Sequence, residues 1–316
     1  MNDTETNDSH FYFNVISGLF LLSFGIIFNS MVILVFMSKG LRDQSMNRYL
    51  ICLALSDSIE LITSVIFNLS PYIDFSELTF FCKLNAGFMV MFFQYCSILI
   101  MISSIDRFIS VVYAKKFQFK NSIKFQLILL FTAFLTTLPT SAVFSLFYTS
   151  KNIHDKKIFC DFEDSHTAAS ITIVNLVLST LIPFFVMIAS TLVLFKKVKL
   201  LRNKLNVRSV WRQKEVKKEF QILKTMIGID TFFFICNTPI CVYVIAVGFS
   251  QKLNNHFIFS ILNLVSTFHN AFPFLVYLIC NNVFRQQLLS ILFKSRNLRN
   301  NSVNAVDDTR SEPGQF

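Results

Sequence analysis

The chain has 316 residues, of which 53% are hydrophobic and 15% are charged, and its mean hydropathy is +0.54. Soluble domains carry about 25% charged residues, so this composition excludes an ordinary soluble protein and favours an integral membrane protein. The chain holds 7 glycines and 6 prolines, which excludes collagen-like and disordered chains.

Seven segments are apolar and long enough to cross a bilayer as helices, since a span needs about 20 apolar residues. In chain order they are Asn14–Met37, Tyr49–Tyr72, Leu84–Ile105, Phe125–Tyr148, Thr167–Phe195, Thr225–Phe249 and Leu253–Cys280. Backbone polar groups in lipid must be satisfied within each segment. The predicted fold is therefore an all-α membrane protein, a bundle of seven transmembrane helices over residues 14–280.

Basic residues are concentrated in alternate connecting segments. Four of these contain 24 of the 29 Lys and Arg residues: 38–48, 106–124, 196–224 and 281–316. Cytoplasmic loops carry such an excess, so we expect an extracellular N-terminal tail, residues 1–13, with glycosylation sequons at Asn2 and Asn7. The net charge of +10 then reflects an inner surface facing anionic membrane lipid, and nucleic acid is not an expected partner.

The segment after the last span has a helical apolar face. Phe284, Leu288, Ile291 and Leu292 fall on one side of residues 281–294, which predicts a short amphipathic helix on the inner membrane surface. Residues 295–316 are expected to form a flexible cytoplasmic tail.

Within the spans, several motifs lie at characteristic intervals. Asn29 is in the first span, and Asp57 follows Asn47 by ten residues in the second. Cys82 precedes Arg107 of Asp106-Arg-Phe108 by 25 residues. Later spans contain Pro183, Pro239 and Asn270-Ala-Phe-Pro273-Phe-Leu-Val-Tyr277. This set resembles the rhodopsin-like (class A) family of G-protein-coupled receptors, as a divergent branch similar to invertebrate neuropeptide receptors.

The resemblance implies a multi-pass plasma-membrane receptor that binds an extracellular ligand and activates a heterotrimeric G protein. It also implies a disulfide between Cys82 and Cys160, both on the oxidising side of the membrane. An enzyme is not expected, because no HExxH, GxSxG or phosphate-loop motif is present. A transporter is the least favoured alternative, because no internal repeat is apparent.

The resemblance places a ligand pocket in the outer half of the bundle. The residues expected there are Glu60, Asn85, Met89, Phe93, Gln94, Phe233 and Asn237. Met89 stands where amine receptors carry an aspartate, and the last span lacks the lysine of opsins. These absences together with the resemblance favour a neuropeptide, with a lipid or small odorant as alternatives. Glu60 is either a ligand-facing acid or a partner for a polar residue of the third or seventh helix.

The resemblance also implies a polar core and an inner switch. The core residues are Asn29, Asp57, Cys96, His269 and Asn270, which in many relatives bind a sodium ion; the alternative is a carboxyl hydrogen-bonded between helices. No other cofactor is expected. The switch residues are Asp106, Arg107, Phe108, Glu219, Pro239 and Tyr277. Arg107 is expected to pair with Asp106 and Glu219, because a guanidinium holds carboxylates well. Asn237 and Thr191 replace residues usual in the family.

Overall fold

The computed structural model describes residues 3–38, 41–42, 44–69, 79–113, 122–153, 157–162, 165–203, 210–249 and 255–293. Its helices are α1 (Asp3–Phe36), α2 (Ser45–Leu69), α3 (Thr79–Val112), α4 (Ile123–Phe147), α5 (Ser165–Leu176), α6 (Ile182–Asn203), α7 (Val210–Phe249), α8 (His256–Ala271) and α9 (Pro273–Cys280). A further helix, α10, covers residues 282–293.

These helices make seven membrane spans. α1, α2, α3, α4, the α5–α6 pair and α7 each contain an apolar stretch long enough to cross a bilayer, and α8 and α9 together form a seventh span bent by 51°. The predicted all-α bundle of seven spans, followed by a short helix, is confirmed.

Several helices are longer than the apolar segments that predicted them. α1 begins at Asp3, inside the segment expected to be an extracellular tail, although its apolar part begins at Tyr12. α7 begins at Val210, fifteen residues before the predicted Thr225. Hydropathy locates only the part of a helix that lies in lipid. A helix can continue beyond the lipid boundary, because each further residue adds one backbone hydrogen bond.

One element between the fourth and fifth spans was not predicted. Strands β1 (Tyr148–Ile153) and β2 (Lys157–Phe162) form an antiparallel hairpin in which Ser150 pairs with Cys160. β1 packs against α3 and α4, and β2 packs against α5. The hairpin therefore covers one end of the bundle.

Two spans are interrupted near a proline. In the fifth, α5 and α6 are joined by a π-helical turn, Val177–Leu181, in which the Ile182 N–H donates to Val177 O. In the seventh, Pro273 begins α9. A proline lacks an N–H, so it fits without cost in the first turn of a helix and kinks or breaks a helix further along. The bend at Phe272 follows from that restriction.

Aromatic packing fixes α10 against the bundle. The Phe284 ring is fully buried, 5.3 Å from the Phe36 ring and 5.4 Å from the Tyr277 ring, measured between centroids. The Asn281 side chain caps α10 by accepting from Val283 N and Phe284 N at 3.1 and 3.0 Å. Of the other residues predicted on the apolar face, Leu288 is buried and Ile291 packs against the core, whereas Leu292 is exposed.

Candidate functional site

The centre of the bundle contains a buried cluster of ionisable side chains. Asp57 and Glu60 are one turn apart on α2, so both carboxyls project from the same face, towards Cys96 of α3. One donor atom from each of the three residues lies within 4.8 Å of the others. All three side chains are buried, at 2%, 5% and 0% exposure.

Polar groups from two other spans border this cluster. The Cys96 thiol is within hydrogen-bonding reach of both carboxyls, and the Asn270 side chain lies beside Glu60. Asn29 Nδ2 donates to the Asn270 backbone oxygen at 3.0 Å. The structure thus brings together Asn29, Asp57, Cys96 and Asn270, and adds Glu60, which sequence reasoning left between two roles.

Several buried polar atoms here have no hydrogen-bond partner among the described residues. They are Asn29 Oδ1, Glu60 Oε2, His269 Nε2 and both side-chain heteroatoms of Asn270. A small cavity lined by Asp57 and His269, with room of about 10 Å³, adjoins the cluster. That volume is close to the smallest that holds one water molecule.

His269 lies on the side of the cluster nearest span six. Its Nδ1 contacts the Ser266 backbone oxygen, and its ring packs edge-on against Phe233 and Phe93, with centroids 5.1 and 5.9 Å apart. Phe233, expected in the ligand pocket, is 1% exposed and belongs to this packing. The expected hinge, Pro239, lies inside α7 six residues later.

The predicted pocket residues mostly connect helices. Asn85 Nδ2 donates to Thr63 O at 3.3 Å, joining α3 to α2. Gln94 Nε2 donates to Asn175 Oδ1 at 2.7 Å, and Gln94 Oε1 accepts from Thr140 Oγ1 at 2.5 Å. Three spans therefore meet at Gln94.

Asn237 makes a comparable connection between spans six and seven. It is fully buried, its Nδ2 donates to Phe233 O at 2.9 Å, and its Oδ1 accepts from Ser266 Oγ at 2.7 Å. Met89 and Phe93 are half-buried. A second small cavity, between spans one, two and seven, is lined by Asn14, Ser17, Gly18, Leu21, Ser64, Val65, Ser260, Leu264 and Thr267. Neither cavity is lined by Met89 or Asn237, so the predicted ligand pocket stays a prediction.

Near the C-terminal end of α3, Arg107 is held by two side chains. Its Nη2 lies 3.6 Å from Asp106 Oδ2 and donates to Ser45 Oγ at 3.4 Å. Ser45 Oγ in turn donates to Asp106 Oδ2 at 2.9 Å. Asp106 and Arg107 are 6% and 7% exposed, so the pair is shielded from water. Ser45, at the start of α2, is a partner that sequence reasoning missed.

The structure describes separate contacts for two of the other switch residues. Phe108 packs edge-on against Tyr113, with centroids 6.0 Å apart, and Tyr277 is buried against Phe36. Glu219 belongs to α7, but its side chain lies outside the described part of the chain. Its pairing with Arg107 therefore stays a prediction.

A further buried acid was not given a role from the sequence. Asp230 of α7 is 8% exposed, and its Oδ2 accepts from Thr191 Oγ1 of α6 at 3.1 Å. Ser104 of α3 lies beside the same carboxyl. Two features of the sequence indicate this contact. One is an acidic residue at membrane depth, and the other is Thr191, at a position where the family usually has another residue.

Cys82, at the start of α3, is disulfide-bonded. The described cysteines Cys52, Cys96, Cys236, Cys241 and Cys280 are free. The side chains of Cys160, Asn2 and Asn7 lie outside the described set, as do residues 294–316.

Comparison with known proteins agrees with this geometry. A search of curated proteins gave no significant match. The model of the family "7 transmembrane receptor (rhodopsin family)" matches residues 28–297. That range includes the polar core and the Arg107 site, and members of this family are receptors rather than enzymes. The chain belongs to the rhodopsin family of seven-transmembrane receptors.

Proposed function

We propose that this receptor binds a short cationic neuropeptide at its extracellular face and activates a heterotrimeric G protein from the plasma membrane. The observation that supports coupling is the buried Asp106–Arg107–Ser45 site, where a guanidinium is held at the inner end of the bundle. A cationic ligand suits the acidic segment Asp161-Phe-Glu-Asp164, which follows the fourth span. The excess of basic residues in the opposite segments supports an extracellular N-terminus.

In the resting receptor, Arg107 pairs with Asp106 and Ser45. It also pairs with Glu219 when the inner end of span six lies close to Arg107. An active state frees Arg107 for the G protein. Because peptide and G protein both favour that state, each strengthens the binding of the other.

A disulfide between Cys82 and Cys160 would hold the β1–β2 hairpin over the outer end of α3. Two observations support this pairing: Cys82 is disulfide-bonded, and β1 packs against α3. The bridge would fix one wall of the peptide site without contributing to the inner switch.

The sodium ion that the family resemblance implies at Asp57 does not fit the donors present. Sodium prefers oxygen ligands, and here Cys96 contributes sulfur at the point where both carboxyls converge. No step of this mechanism passes through sodium.

The test is a screen of amidated peptides, lipids and odorants on cells that express the full chain, with G-protein activation as the readout. We expect a cationic peptide to activate, and Arg107→Ala to abolish the response at matched surface expression. Lys124→Ala, which removes an exposed basic residue from the inner end of α4, is the matched control. Activation by a lipid or odorant and by none of the peptides would favour a chemosensory receptor over a peptide receptor. An intact response in Arg107→Ala would contradict the proposed role of Arg107 in the switch.

A further inference from the structure

The Asp57–Glu60–Cys96 cluster has the arrangement of a chelating site. Two carboxyls one turn apart on α2 face a thiol on α3, and their donor atoms lie within 4.8 Å of one another. Side chains on two facing helices commonly build metal sites in this way. Every ligand is buried, so water competes weakly for the site.

The cluster also lacks compensation for its charge. Among the described residues, no basic side chain pairs with Asp57 or Glu60; their polar neighbours are each other, Cys96 and Asn270. Ionised carboxylates in a membrane interior are costly unless a counter-ion is present. A divalent cation at the point where they converge would supply that counter-ion.

Unsatisfied atoms point to the same position. Glu60 Oε2 is buried without a hydrogen-bond partner that meets the distance and angle criteria, and the same holds for both side-chain heteroatoms of Asn270. Asn270 is fully buried, and such groups are normally paired or bind an ion or water. This observation is independent of the clustering of the acids.

The donor set selects the kind of ion. Calcium, magnesium and sodium take oxygen ligands, whereas zinc accepts thiolate and carboxylate together and needs four ligands. We propose that Asp57, Glu60 and Cys96 bind a divalent transition-metal ion of the zinc class. Binding displaces the thiol proton of Cys96, and the charges balance when one of the two carboxyls keeps its proton and binds through its carbonyl oxygen. A water molecule or Asn270 Oδ1 occupies the fourth position.

The experiment uses the purified full-length receptor in lipid nanodiscs, without peptide or G protein. Its thermal unfolding is followed in EDTA, ZnCl2, MgCl2 and NaCl at equal ionic strength. A ligand that binds only the folded state raises the unfolding temperature with its concentration, so zinc should give a saturable rise that magnesium and sodium do not. Cobalt should give a thiolate-to-metal absorption band in the near ultraviolet.

Variants assign the ligands. Loss of a residue that only supports a metal ligand weakens binding by roughly 10–100-fold. Glu60→Gln and Cys96→Ser each remove a ligand, so each should weaken zinc binding by more than that. Cys96→Ser should also remove the cobalt band. Cys236→Ser, which alters another buried free thiol, should change neither. A cooperative thermal unfolding transition in EDTA, measured before zinc is added, shows whether each variant folds.

A zinc effect that is absent in the wild type, or unchanged in Cys96→Ser and Glu60→Gln, would overturn the proposal. A saturable sodium effect without a zinc effect would also overturn it, because the site would then bind sodium. Absence of the cobalt band in the wild type counts against it even if the variants do not fold. None of these results affects the peptide screen, since neither agonist nor G protein is used.

Discussion

Asp230 and Thr191 form a hydrogen bond that joins spans five and six. The bond length is 3.1 Å, and the carboxyl is shielded from water. Such bonds contribute about 1 kcal/mol net, and more when one partner is charged. In the proposed mechanism span six moves away when Arg107 is released, so a bond from span six to span five would stabilise the resting state.

We therefore expect Thr191→Val to raise ligand-independent signalling about fivefold, since about 1 kcal/mol of resting-state stabilisation is lost. Asp230→Leu should have the same effect, and the double variant should be no more active than either single one, because both changes remove one bond. The measurement is basal G-protein activation at matched surface expression. Thr132→Val is the control, because Thr132 Oγ1 bonds to Ile128 O of its own helix. Additive effects of the two changes would show that the bond is not the cause.

The site could be predicted from the sequence only where a motif fixes both identity and interval. Asp57, Arg107 and Asn270 were identified in this way, and the structure brings Asp57 and Asn270 into one cluster. The role of Glu60 stayed open, because the sequence does not show whether this face of α2 lines a ligand pocket or packs against a neighbouring helix. The Asp230–Thr191 and Arg107–Ser45 contacts depend on how two helices are rotated about their axes, which hydropathy does not encode.

At the scale of elements, α10 is held by an apolar face with one aromatic ring at its start. Phe284 packs against three aromatic side chains, Phe36, Phe274 and Tyr277. One turn later Leu288 is buried in the same core, whereas Phe293 at the end of the helix is 55% exposed. Phe284 is therefore the largest fully buried side chain that joins α10 to the bundle.

Phe284→Ala should destabilise the receptor by about 3–5 kcal/mol, as large-to-small changes of a buried aromatic do. Its thermal unfolding in nanodiscs should occur at a lower temperature than that of the wild type. Phe293→Ala, a matched change in the same helix, should leave the unfolding temperature unchanged. Equal effects of the two variants would contradict the assignment of Phe284 as the anchor.

The elements themselves were predictable to different extents. Seven apolar segments were enough to predict seven spans, because lipid demands both length and helicity. Helix ends were not, as α1 and α7 show, because the helices continue into water. The β1–β2 hairpin was missed, since six-residue strands of mixed polarity such as Lys157–Phe162 have no pattern that distinguishes them from a loop.

On the scale of the whole molecule, apolar side chains cover the outside of the bundle while polar ones meet inside. Phe131, Phe185 and Ile279 are 63%, 64% and 69% exposed, whereas Asn29, Asn237 and Asn270 are fully buried. A soluble protein rarely exposes such large apolar surfaces. Lipid contact explains them.

The topology leads to a direct prediction. An epitope tag before Met1 should be accessible to antibody on intact cells, and a tag after Phe316 only after permeabilisation, because we expect the basic segments to face the cytoplasm. Treatment with a glycosidase should increase the mobility of the receptor on a gel, and Asn2→Gln with Asn7→Gln should abolish that change. A C-terminal tag accessible on intact cells would reverse the topology.

Gly228 sets how closely spans six and seven approach at their inner ends. A Cβ at this position would lie 2.9 Å from Cys280 Sγ and 2.9 Å from Val276 Cγ1, so the backbone of span six rests against a free thiol. If span six moves as proposed, the reactivity of the Cys280 thiol should change on activation. Alkylation of Cys280 by a membrane-permeant maleimide should proceed faster with agonist than without, as span six withdraws, and Gly228→Ala should make the rate high even in the unliganded receptor.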